Sequence, residues 1–405
     1  MKTLVLLMFV WPVLSHGADQ FSLVRVKPEA AGMSSQRMAE IPARMNDFVD
    51  SGKAAGIVTA VMRHGKLVTL DSVGYQELEG KTPMRADTIF RIMSLTKPMT
   101  SAAIMLLVDE GRLSLIDPVE KYLPEFKGQK LNPCGSRVGY HCKPVTPVRP
   151  VDIEDLMTHT SGLPGSPGAG EGGPPKTLAD LVHAGAKTEL MFEPGTQWSY
   201  SNIGYSALGR VIELISKQPY DEFMMRRLFR PLEMADTFFF VPKEKEGRVA
   251  AVYTPTGDKL RREQIAFPQR GSNIAMPAGG LFSTAADLLR FEQMLLNKGT
   301  LNGKRILSAA AVELLTTSQT GEIEAGWAPG MGHGLGFEVV RKPAGMFRYN
   351  SIGTFAKGGA YRTYEWVDPA KDLVGVLMMQ RTHGEDDAFD EINRFMTLAA
   401  AAIEQ

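Results

Sequence analysis

The chain has 405 residues, with 45 basic and 45 acidic side chains that balance at neutral pH. That balance gives no electrostatic reason to bind nucleic acid or an anionic membrane, and the length suffices for one large core or two lobes. Two cysteines are too few for a structural zinc site.

Met1-Lys2, a core of mostly apolar residues and then Ser15-His16-Gly17 have the form of a secretory signal over residues 1–17. Its apolar core is too short to span a bilayer as a helix, and no later apolar run reaches spanning length. A secreted or periplasmic protein without a transmembrane segment is the expectation. Met38, Ile41, Met45, Phe48 and Val49 recur at helical spacing up to Gly52, with Pro42 expected to kink that helix or shorten its first turn. Residues 57–62 and 66–70 flank Arg63-His64-Gly65 and read as a strand hairpin with His64 in the turn. Residues 90–108 run from a polar head into a stretch apolar almost all round, which is the pattern of a buried helix, and Gly111 is placed to end it. Pro98 falls near its first turn, where a missing N–H removes little.

Residues 115–123 read as a short helix. Cys134 and Cys142 lie close together in an exported chain and point to a local disulfide. Closing so small a loop contributes at most about 2–3 kcal/mol on the chain-entropy argument. Residues 163–175, rich in Gly and Pro, cannot form regular structure and read as a surface loop or a cover over a site mouth. Ile203 to Ile215 is an amphipathic helix, with Ser201 or Asn202 as its N-cap. Residues 360–367 and 373–379 read as strands around a turn at 368–372. A last helix carries Phe389, Ile392, Phe395, Met396 and Ala399.

Three short stretches carry chemistry. Ser94 and Lys97 stand three apart at the head of the buried helix, which brings their side chains onto one face. A lysine activates a serine only if it is neutral, which at pH 7 costs about 4.6 kcal/mol for an unperturbed ammonium. Burial and a nearby second cation remove that cost, after which Lys97 can accept the Ser94 proton. Taken alone, Ser-x-x-Lys occurs by chance in many chains. Tyr200-Ser201-Asn202 opens the amphipathic helix, and Lys357-Gly358-Gly359-Ala360 precedes a strand. His159, close to a serine in Thr158-His159-Thr160-Ser161, raises a Ser–His pair, but a helix end favours a structural hydrogen bond.

Ser-x-x-Lys, then Tyr-x-Asn, then Lys-x-Gly, in that order, resembles the serine β-lactamase and penicillin-binding-protein superfamily, and the Tyr-x-Asn form its class C branch with its esterases. Residues 156–163, 277–283 and 359–369 look like the same branch. The resemblance implies an α+β fold of sandwich type. Terminal helices flank an antiparallel sheet contributed by residues 18–90 and 271–405, and a helix-rich lobe spans 91–270. The active site lies at the lobe junction. It further implies an acyl-enzyme on Ser94, with Lys97 and Tyr200 as the base, and no metal or organic cofactor. The oxyanion donors are the backbone N–H groups of Ser94 and Ala360, and Asn202, Lys357, Gly358 and Gly359 bind substrate. For Tyr200 to work as a phenolate at pH 7 costs about 4 kcal/mol from its ordinary pKa. Lys97 and Lys357 are the cations available for it, and one proton shared among the three groups is the alternative.

The chain departs from the superfamily at Gly358, where lactamases and peptidases usually have threonine. The missing hydroxyl removes a charge-assisted bond to a substrate carboxylate, of about 1.5–3 kcal/mol. A small-molecule ester is therefore the first expected substrate, with a β-lactam or D-alanyl peptide as runner-up and an inactive scaffold as the non-enzymatic alternative. Arg362 reads as an exposed strand arginine or as a replacement anion contact. No Gly-x-Ser-x-Gly elbow occurs, which disfavours an esterase of another fold.

Overall fold

The computed structural model describes residues 21–135, 142–166, 175–257, 259–384 and 389–404. The signal expected at residues 1–17 and most of the Gly/Pro stretch (167–174) lie outside the described residues.

The strands of the main sheet are β1 (Ser22–Arg25), β2 (Gly56–Arg63), β3 (Lys66–Glu77), β4 (Thr82–Pro83), β5 (Met331–His333), β6 (Glu338–Val340), β7 (Phe355–Gly358), β8 (Tyr364–Asp368) and β9 (Leu373–Met378). They run in the order β1-β3-β2-β9-β8-β7-β6-β5, with β4 beside β3. Every pairing is antiparallel except β1 with β3. The central partners β2 and β9 come from opposite ends of the chain, with Arg63 opposite Leu373.

Period-two alternation divides this sheet between two cores. Ile57, Val61, Leu373, Leu377, Ala356 and Trp366 face one way, towards α1 (Ser35–Met38), α2 (Glu40–Asp50) and the C-terminal α10 (Asp390–Ala401). Val58, Ala60, Met62, Val374, Val376 and Val367 face the other way, towards α8 (Ala285–Leu296) and the helices that follow β4. Those helices are α3 (Thr96–Asp109), α4 (Ile153–Thr158), α5 (Leu178–Ala186), α6 (Asn202–Ser216), α7 (Tyr220–Met224) and, after α8, α9 (Ala309–Thr316). Among the described residues no helix is long and apolar enough to cross a membrane.

Most sequence expectations hold locally. The first helical stretch breaks at Ala39, so Pro42 falls in the first turn of α2, where its missing N–H costs nothing. His64 and Gly65 both take left-handed dihedrals between β2 and β3, the requirement of a two-residue hairpin turn. Cys134 and Cys142 are disulfide-bonded, with Cα atoms 5.7 Å apart. Residues 115–123 are a correction: only Val119–Lys121 makes a single 3-10 turn. The Asp117 carboxylate accepts from the Ser114 N–H and the Tyr122 hydroxyl, and Pro118 holds extended backbone bridged to Asp152. Side-chain hydrogen bonding and proline thus outcompete the helical spacing. Residues 360–363 are a second correction. The strand at Phe355–Gly358 ends before them, and they form a turn, with Arg362 at φ 66°, before β8 begins.

Trp366 is the largest side chain in the terminal-helix core. Its ring stands edge-on to Phe395 of α10 at 4.8 Å. Across the β8–β9 ladder its partner is Gly375, where a Cβ would lie 2.1 Å from the indole. The glycine therefore makes room for the ring. Trp366→Ala is expected to lower the unfolding free energy by about 3–5 kcal/mol, read as a lower urea midpoint at unchanged slope.

Candidate active site

Ser94 lies in a 3-10 turn, Met93–Leu95, that runs directly into α3. The turn is over-determined. Ile92 N–H donates to Leu281 O at 3.0 Å, Leu281 N–H donates to Thr96 Oγ1 at 3.1 Å, and Thr363 Oγ1 donates to Ile92 O at 3.0 Å. These ties hold Met93, the residue before the serine, at φ 51°, a conformation that costs a side-chain-bearing residue about 1–3 kcal/mol. Gly359 permits the last tie, because a Cβ there would lie 2.3 Å from Ile92 O. The end of β7, and Ala360 just beyond it, are thereby fixed against the backbone two residues ahead of Ser94.

Lys97 is fully buried in the first turn of α3. Its Nζ lies 2.8 Å from Asn202 Oδ1, 2.6 Å from Ala278 O and 3.4 Å from Ser94 Oγ. Burial pushes its pKa well down, and the nearby Lys357 ammonium pushes it further. A neutral amine has two hydrogens and one lone pair. The two oxygens of Asn202 and Ala278 use the hydrogens, which leaves the lone pair to the Ser94 hydroxyl.

Tyr200 OH lies 2.6 Å from Ser94 Oγ. Both neighbours of Tyr200 are anchored on the left-handed His159 that closes α4: Ser199 N–H donates to His159 O at 2.9 Å and Ser201 N–H to His159 Nδ1 at 3.1 Å. Ser201, not Asn202, caps α6, its Oγ accepting from Gly204 N–H, and this frees the Asn202 amide for Lys97. His159 is thus a buried structural hydrogen-bonding residue; burial pushes its pKa well down and so keeps it neutral. Burial also drives the Tyr200 phenol upward, outweighing its bond to Ser94. Burial therefore favours leaving the proton on the phenol, and Tyr200 OH donates to Ser94 Oγ.

Lys357 projects from β7 into the same place, its Nζ 5.1 Å from the Tyr200 ring centre on which Lys97 Nζ also bears at 4.6 Å. It is buried, with Glu338 Oε1 of β6 at 3.6 Å, too far for a hydrogen bond, and its Nζ has no acceptor among the described residues. Burial lowers its pKa and Glu338 partly restores it. Gly358 sits opposite Tyr364, whose ring lies 3.2 Å from where a Cβ would stand. Arg362 is neither exposed nor near an anion site. It is buried and paired with Glu391 of α10, because the left-handed turn swings it away from the site and towards the terminal helices.

Several site residues escaped the sequence reading. Glu338 faces Lys357 and packs against Gly326, and its one signal was a carboxylate in the apolar run 335–340. Glu365, across the ladder from Lys357, faces Glu292 of α8, and both are fully buried. Burial raises the pKa of both carboxyls. Buried His333, with Nδ1 2.7 Å from Gly334 O, packs edge-on to His159.

Residues 41–399 match the family described as Beta-lactamase. The chain belongs to the beta-lactamase family. It is 26% identical over 352 residues to the D-alanyl-D-alanine-carboxypeptidase/endopeptidase AmpH of Escherichia coli K12, covering 85% of this chain and 84% of that one. It is 28% identical over 379 residues to the esterase EstB of Burkholderia gladioli, covering 85% and 91%. Among solved structures, EstCE1, a hydrolase with promiscuous acyltransferase activity, superposes with a TM-score of 0.74 at 23% identity, over 91% of this chain and 99% of that one. The chain is accordingly a serine hydrolase of this family.

A depressed Lys97 pKa has a signed consequence. The folded state holds the Lys97 proton less tightly than the unfolded chain, so the amine burdens stability at any pH below its ordinary value, fully so below the folded pKa. Lys97→Met is expected to abolish turnover while raising the melting temperature at pH 7. In the unmodified enzyme kcat/KM should fall on acidification, as the single lone pair is protonated.

Proposed function

We propose that this chain is an exported carboxylic ester hydrolase working through an acyl-enzyme on Ser94. The observation that carries the reading is the placement of Ser94 Oγ between Tyr200 OH at 2.6 Å and the buried Lys97 Nζ at 3.4 Å, an amine whose pKa burial lowers. In this reading Ser94 Oγ bonds to the ester carbonyl carbon and its proton passes to the Lys97 lone pair. The carbonyl oxygen, now an anion, takes the N–H groups of Ser94 and Ala360. Collapse breaks the bond to the alcohol oxygen, which receives the Tyr200 proton, and Lys97 returns a proton to the phenol. Water then attacks the acyl carbon with the same groups acting in reverse, and Ser94 is released. Asn202 keeps Lys97 in register throughout.

Gly358 supports an ester over a substrate with a carboxylate. It offers no hydroxyl, and the Tyr364 ring crowds the space in which one would be carried. The unpartnered N–H groups of Lys357 favour a second reading, an amide hydrolase for β-lactams or D-alanyl peptides, since a substrate carboxylate would satisfy them. The EstB and AmpH relatives support one reading each. The disulfide supports an oxidising compartment.

Parallel assays with p-nitrophenyl butyrate, nitrocefin and a D-alanyl-D-alanine peptide separate the two. The ester is expected to be the best substrate, with the carboxylate-bearing compounds weaker by about tenfold to a hundredfold for want of the hydroxyl. Ser94→Ala should lower ester turnover by at least about a thousandfold. Unchanged turnover in that variant rules out the proposed nucleophile.

A further inference from the structure

Trp327 is the outermost member of an aromatic group beside the candidate nucleophile. Its side chain is 70% exposed. Its ring stands edge-on to Trp198 at 5.5 Å and lies 5.7 Å from the Tyr200 ring. Behind these, His159 and His333 pack against Trp198 at 6.0 and 6.3 Å, so the exposed indole rests on a buried stack. A lone exposed tryptophan on a loose loop needs no explanation. This one is held at several points. Gly326, the residue before it, packs on the Glu338 carboxylate, which a Cβ there would meet at 3.1 Å, and Glu338 is the group that faces Lys357. Gly326 and Gly330 on either side take left-handed dihedrals, and Gly330 O accepts from both Arg341 and Lys342 N–H at 2.9 Å. A large apolar ring is thus kept in water, in fixed register with Tyr200, by the residue that partners Lys357.

We propose that Trp327 is a specificity-determining residue that stacks on the alcohol portion of the ester, so that esters of aromatic alcohols are the preferred substrates. The assignment to the alcohol side, not the acyl side, rests on the ester-hydrolase reading above and follows from Tyr200. The group that gives its proton to the departing oxygen must lie within hydrogen-bond reach of it. Whatever flanks Tyr200 therefore flanks the leaving group, and a ring attached to that oxygen falls over the indole. Aromatic rings prefer offset or edge-on contacts at 4.5–7 Å between centres, roughly the spacing at which Trp327 already meets its neighbours.

The test compares two acetates with alcohols of similar acidity, one flat and aromatic (2-naphthyl acetate) and one not (hexafluoroisopropyl acetate). Both leave the same acetyl group on Ser94, so only acylation can tell them apart. Trp327→Ala is expected to lower kcat/KM for the naphthyl ester by about fivefold to tenfold, the scale of one lost aromatic contact. The hexafluoroisopropyl ester should stay within about twofold, and Trp327→Phe should recover most of the naphthyl preference. Equal loss on both esters, or no change on either, overturns the proposal. If the unsubstituted enzyme hydrolyses neither acetate, the ester-hydrolase reading itself fails, an outcome distinct from a failure of the Trp327 assignment.

Discussion

An amine with no carboxylate within hydrogen-bond reach is buried at the centre of this molecule, and the rest of the site answers to it. Lys97 meets two neutral oxygens, of Asn202 and Ala278, and a second amine lies close by across the Tyr200 ring. A buried ammonium would need an anion to hold its charge. The protein withholds one from Lys97 and places Glu338 at Lys357 instead. Burial lowers the pKa of both lysines of this apolar neighbourhood, and only at Lys357 does a neighbouring carboxylate partly offset it.

The same burial fixes the phenol. Two cations beside Tyr200 suggest a phenolate if distance alone is considered. Desolvation opposes the charged form of every group in the site, however, and pushes the phenol up as it pushes Lys97 down. The outcome is a chain from Tyr200 through Ser94 to Lys97, in which Ser94 Oγ accepts from the phenol and lies 3.4 Å from the amine.

What was legible in the sequence is what helical geometry or capping fixes locally. Ser94 and Lys97 share a helix face, and Ser201 caps the helix that carries Asn202, so their meeting follows from spacing and from turn chemistry. What was hidden depends on strand register and on packing between distant segments. Glu338 matters because β6 lies beside β7, Glu365 because it pairs with Lys357, and Trp327 because its loop is drawn onto Glu338. Arg362 was misread because a left-handed turn, invisible in the pattern of residue types, sends it towards Glu391.

The two ends of the described chain meet. Ser34 N–H donates to Ala402 O at 2.8 Å and Glu404 N–H to Gly32 O at 3.0 Å, while β2 and β9 pair at the middle of the sheet. Such pairing closes a very long loop, the kind of contact that forms late. During synthesis the serine and its lysine emerge long before Lys357 and before Thr363, which ties down the turn ahead of the serine. A polypeptide cut short of β7 and β8 therefore carries Ser94 and Lys97 without the strands that frame them, and the crevice is assembled only once those distant segments have joined the sheet.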